Sequence, residues 1–150
     1  MDNPGVKDLC TAAVAAINAA TTATVITSQP NAQGVTSGYR DGLEGMFAAT
    51  IGVNFTYGSS GGTSIKVIVE NSDNEGTTWT EVWRCALGTA SEENKVNLSG
   101  LTPLTTPYTP AALSDDTVKD GIFGNWWRAR ILTVGTYVGN ASVAVRLTAR

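Results

Sequence analysis

The chain has 150 residues, with 10 Lys and Arg against 13 Asp and Glu for a net charge of -3, no His and two Cys. Its 21 Thr, 18 Ala and 16 Gly dilute the charge, yet 42% of the residues are hydrophobic, enough to fold as one domain and not to stay disordered. The missing imidazole removes Ser-His-Asp and Cys-His chemistry, Cys10 and Cys85 lie far apart without CxxC spacing, and no basic run faces nucleic acid.

In chain order, the first 20 residues read in two ways. Val6, Leu9, Cys10, Ala13, Val14 and Ile17 follow Pro4 at helical spacing, which predicts a short amphipathic helix. An extended arm is the alternative, and the Thr-rich continuation Thr21 to Thr27 favours strand. Leu9 to Tyr39 carries no charge, but Thr, Asn, Ser and Gln interrupt it well short of the roughly 18 apolar residues a helical span needs. Asp2, Lys7 and Asp8 make no basic n-region and Ala12 to Ala20 is weakly apolar, so the expectation is a soluble product made inside the cell, not a membrane protein. Such a compartment keeps thiols reduced, and two buried free cysteines are expected.

From about residue 41 the apolar residues alternate with polar ones. Met46 to Tyr57 places Phe47, Ala49, Ile51, Val53 and Phe55 on one face. Ser64 to Glu70 points Ile65, Val67 and Val69 inward and Lys66 and Glu70 outward. Further strands are expected at Thr78 to Leu87, Val96 to Leu98, Asn125 to Val134 and Ser142 to Ala149. Gly100 to Gly121 holds Pro103, Pro107 and Pro110 and so reads as a long connection. Together these predict an all-β fold, an antiparallel β-sandwich of immunoglobulin-like or jelly-roll-like type. Its expected organisation is an N-terminal arm over residues 1–20, helical or extended, and a single sandwich domain over 21–150.

Three constellations bear on chemistry. Ser72-Asp73-Asn74-Glu75-Gly76-Thr77-Thr78-Trp79 resembles the Asp-box turn of sialidase propellers and many unrelated β-proteins, with Asn74 where aspartate is usual. A turn of this kind staples a hairpin through Asx-to-backbone bonds and does no chemistry. The carboxylates Asp73, Glu75, Glu92, Glu93, Asp115, Asp116 and Asp120 read as solvated loop charge, lacking a D-x-D-x-D-G calcium pattern. No catalytic, cofactor-binding or metal-ligating residue is expected. In Asn125 to Leu132, alternation sets Trp127, Ala129 and Ile131 on a core face and Trp126, Arg128 and Arg130 on the other. An aromatic beside two guanidinium groups suits an interface, though the same residues could simply shield the sheet.

With those residues in hand, positions 20 to 150 resemble the small β-sandwich structural proteins encoded among the head and tail genes of tailed bacteriophages. The resemblance rests on Ile65-Lys66-Val67-Ile68-Val69-Glu70, the hairpin Gly76-Thr77-Thr78-Trp79-Thr80-Glu81-Val82, the strand Trp127-Arg128-Ala129-Arg130 and the closing Gly135-Thr136-Tyr137-Val138-Gly139. It implies a non-enzymatic virion component made in the host cytoplasm. The leading expectation is a capsid decoration or cement protein that binds the major capsid protein and copies of itself, not nucleic acid, and stabilises the head. A tail or head-tail connector protein is the near alternative. A carbohydrate-binding adhesin module is the alternative of another class, resting on Trp126, Tyr39, Tyr108 and Tyr137 as exposed aromatics. The interaction residues expected are Val6, Leu9, Val14 and Ile17 in the arm and Trp126, Arg128 and Arg130 on the sheet.

Overall fold

The period-two segments form strands because one face of each can be buried while the other faces polar surroundings. A computed structural model describes residues 4–25 and 38–150. In chain order the elements are β1 (Gly5–Ala13), α1 (Val14–Ala19), β2 (Thr24–Val25), β3 (Ala48–Thr56), β4 (Ser60–Gly61) and β5 (Ser64–Ser72). There follow β6 (Thr80–Leu87), β7 (Glu92–Ser99), β8 (Thr117–Val118), β9 (Trp126–Val134), β10 (Tyr137–Val138) and β11 (Ser142–Ala149). They pair antiparallel as a four-stranded sheet β1-β11-β3-β7, a five-stranded sheet β2-β9-β5-β6-β8 and the small ladder β10-β4.

The two large sheets share one core, so the fold is an all-β sandwich. Ile51, Val53, Phe55, Val143, Val145 and Leu147 meet Ile65, Val67, Val69, Trp127, Ala129 and Ile131 between the sheets, all of them buried. Gly124 admits β9 to this packing, since a Cβ there would stand 2.3 Å from the Ser72 carbonyl oxygen, and its own carbonyl accepts the Trp127 indole N–H at 2.8 Å. The two thiols are free and buried, and burial, the largest influence on each, pushes both up to about 12.

The N-terminal segment divides between its two readings. Gly5 to Ala13 is extended and paired along β11, with a bulge between Asp8 and Cys10, so this stretch of the expected arm is an edge strand of the sandwich. The helix is confined to six residues without a side-chain cap or a charge in its end turns. A helix this short is marginal by itself. It is held instead by the buried Ile17 and by Asn18, whose Nδ2–H donates to the Tyr137 carbonyl and whose Oδ1 accepts the Tyr137 N–H, both at 2.8 Å. Thr24 and Val25 form β2 as the Thr-rich stretch favoured, while positions 26 and 27 lie outside the described residues.

Two side chains depart from their expected side. Phe47 was expected inward but is 52% exposed, because β3 begins at Ala48 and Phe47 sits beyond the sandwich end, its N–H on the Arg150 carbonyl. Tyr137 was expected on the surface and is buried among Phe55 and Tyr57, its hydroxyl donating to the Gly88 carbonyl at 2.9 Å.

Candidate functional site

The outer face of the five-stranded sheet is where β9 places Trp126, Arg128 and Arg130. Register sets Glu70 opposite Arg128 and Ile68 opposite Arg130 on β5, and Glu81 beside Glu70 on β6. Glu70 is buried, and an ionised carboxylate there requires partners. It receives Arg128 Nε at 2.5 Å and Arg130 Nη2 at 2.6 Å. Glu81, also buried, takes Arg84 Nη2 at 2.9 Å and lies 3.5 Å from Arg130 Nη2. The two arginines therefore neutralise carboxylates of their own chain. Sequence alternation had set Glu70 facing outward; the face is right, but the residue is covered.

The cover is the proline-bearing segment. Leu113 N–H donates to Glu81 Oε2 at 2.9 Å, Lys66 pairs with Asp115 at 2.8 Å, and Lys119 N–H bonds the Val82 carbonyl. The Ala86 N–H is taken by Asp116 at 2.9 Å. Asp120 anchors the strap where it returns, accepting the Ser99 N–H and the Thr102 hydroxyl, each at 2.6 Å. Burial tends to raise its carboxyl, but the hydrogen bonds from Thr102, Ser99 and Gly121 outweigh this and hold it below the usual range.

The aromatic part of the face is likewise engaged. Tyr39 stacks on Trp126 with ring centroids 4.4 Å apart and planes within 5° of parallel. Arg128 lies over the Trp79 ring at 4.0 Å from its centroid. A Cβ on Gly76 would stand 3.1 to 3.2 Å from both indoles, so the Asp-box-like turn presses directly on them, and its φ of 77° also calls for glycine. Asn74 does the work of the usual aspartate: its Oδ1 accepts the Thr78 N–H and the Ser72 hydroxyl, each at 2.9 Å, and its Nδ2–H adds a bond to Thr78 Oγ1. Ser72 Oγ accepts the Gly76 N–H at 2.9 Å.

The expected arm residues do not share one surface. Leu9 and Ile17 are core, Val6 is 63% exposed on β1, and the Val14 side chain lies outside the described residues. Val6 belongs instead to the outer face of the four-stranded sheet, a groove it lines with Thr50, Gly52, Asn54, Ala144, Arg146 and Thr148. Charges along it pair in the open: Arg146 with Asp8 at 3.0 Å and Lys95 with Glu93 at 2.8 Å, while Arg150 donates to the Thr50 hydroxyl at 2.8 Å. Sequence reasoning missed this face because Thr, Gly, Ala and Asn read as ordinary solvent-side residues. The signal available was their shortness on two adjacent strands, β3 and β11.

Among the described residues, no group of three Cys, Asp or Glu could hold a metal ion, and no helix is long and apolar enough to cross a membrane. Compared with known proteins, the chain matches no family model, no curated protein and no solved structure.

Proposed function

We propose that this chain is a non-enzymatic structural protein of a phage particle, a decoration or cement protein on the outer surface of the head. Its partners in this reading are the major capsid protein and copies of itself, and its place is the virion. The observation that carries the reading is the unequal treatment of the two outer faces. One is closed by the chain's own strap, ion pairs and stacked rings; the other presents, among the described residues, an uncovered groove of short side chains with solvent-exposed ion pairs at its sides, a surface another protein can cover. The phage-like strand and hairpin pattern of the sequence supports the same reading. Modest contacts per subunit suffice for such a role, because many copies on a symmetric lattice gain by avidity.

The carbohydrate-binding reading has weaker support. Of its four aromatics, Trp126 and Tyr39 are stacked on each other and Tyr137 is buried, which takes ring faces from three of the platforms a sugar would use. The test is cosedimentation of the purified chain with empty capsid shells, together with DNA retention on heating by heads that lack it. Pelleting with shells and loss of DNA from bare heads are expected. A chain that leaves shells in the supernatant overturns the proposal, and a ring-sized native mass without shell binding moves the role to the tail or connector.

A further inference from the structure

The two edges on the β6–β7 side of the sandwich are finished differently. Along β6 the strap supplies partners: Asp116 for the Ala86 N–H and β8 for Trp83 and Arg84. β7 pairs on one side with β3 and, among the described residues, has no strand on the other. The phase of its hydrogen bonding follows from its end. Gly100 N–H points to the Phe47 carbonyl on the β3 side, whereas Ser99 N–H points away, to Asp120. Antiparallel alternation then turns the N–H and C=O of Glu93, Lys95 and Asn97 outward. Among the described residues, no hydrogen bond to these outward groups is found, and Asp120 closes the edge just beyond them.

We infer that β7 is a self-pairing edge: two copies join β7 to β7, antiparallel, about a twofold axis at Asn94. Charge selects that register. Glu93 and Lys95 lie on the outer sheet face, their side chains 54% and 62% exposed. A twofold at Asn94 sets Glu93 of each copy opposite Lys95 of the other, and the present Lys95–Glu93 contact of 2.8 Å exchanges for two equivalents across the axis. Moving the axis one residue to Lys95 would oppose like charges. The hydrogen-bond phase agrees, since Glu93 and Lys95 become the bonded pairs while Asn94, turned toward β3, becomes the close non-bonded pair. A groove beside the edge, lined by Trp83, Val96 and the 39% exposed Val118 together with Asn94, Lys95 and Asp116, gives the second copy a mixed apolar and polar surface to cover. An alternating-sign edge of this kind repels most partners while admitting one register of itself.

The inference names the surface through which copies meet, and rests on the reading above only in taking copies to meet. The test is sedimentation velocity on the full chain, with thermal melts as fold controls, for the wild type, Lys95→Glu, Glu93→Lys and the double swap. The wild type is expected as a dimer. Each single change opposes like charges at two symmetric places and is expected to weaken dimerisation at least about tenfold; the double swap restores it. A wild-type monomer at the highest concentration reached, a trimer, or a dimer indifferent to the single changes overturns the inference. Cosedimentation of the wild-type chain with shells separates the two proposals, because shell binding by a wild-type monomer leaves the capsid reading standing while removing this one.

Discussion

The two outer faces of this sandwich are built from similar alternating strands and end in opposite states. On the five-stranded sheet, long side chains carry charge into a covered layer: Glu70 and Glu81 are buried and held by Arg84, Arg128 and Arg130. On the four-stranded sheet, Thr50, Gly52, Asn54, Ala144 and Thr148 rise little above the backbone, and no strap crosses them among the described residues. An ion pair thus means different things on the two faces. Beneath cover it is obligatory, since each charge would otherwise be stranded; at the surface it is weak and free to be exchanged for a partner's charge.

The difference can be broken most sharply at Glu70. Glu70→Ala takes the carboxylate from both Arg128 and Arg130 in a covered layer, leaving Arg130 only its 3.5 Å contact with Glu81, and is expected to lower stability by about 3 kcal/mol, read from the urea midpoint. Asn54→Arg on the open face, where the side chain is exposed, should stay within about 0.5 kcal/mol by the same measurement. Next in size, Asn18→Ala removes both bonds that tie α1 to Tyr137 and should cost about 1 to 3 kcal/mol, with amide exchange of β10 accelerating first.

Smaller effects refine the closed face. Asn74→Ala should cost about 1 kcal/mol, whereas Asn74→Asp, which keeps the acceptor for the Thr78 N–H and the Ser72 hydroxyl, should be near neutral in a thermal melt. Asp120 supplies the pH arm. Its carboxyl is held below the unfolded value, so its contribution is fully present at neutral pH and is lost as pH falls from that value through the folded one. Acid titration of stability should therefore be shallower in Asp120→Asn than in the wild type.

Much of the fold was legible in residue order, and the exceptions have physical causes. Alternation located the core faces of β3, β9 and β11 because each buries one side only, and that of β5 from Ile65, Val67 and Val69, although its other side is buried as well from Ile68 to Ser72. It set Trp126, Arg128 and Arg130 on one face, but could not say what covered them, since the carboxylates that meet them come from two other strands and the cover from a segment read as a loop. It could not settle residues 5 to 19 because Ala, Val and Thr satisfy both periods there; pairing with β11 decides for strand up to Ala13. Tyr137 was misplaced because its burial depends on Asn18 and Gly88, far away in the chain. The outward groups of β7, the feature on which self-pairing rests, follow from hydrogen-bond phase and leave no trace in composition.

The most direct test of the contrast between the faces is a pelleting assay with empty shells on two variants, Asn54→Arg on the open face and Lys66→Ala beneath the strap. If the open face is the docking surface, Asn54→Arg remains in the supernatant and Lys66→Ala pellets like the wild type. Equal pelleting of Asn54→Arg and wild type, or loss confined to a folded Lys66→Ala, would contradict it.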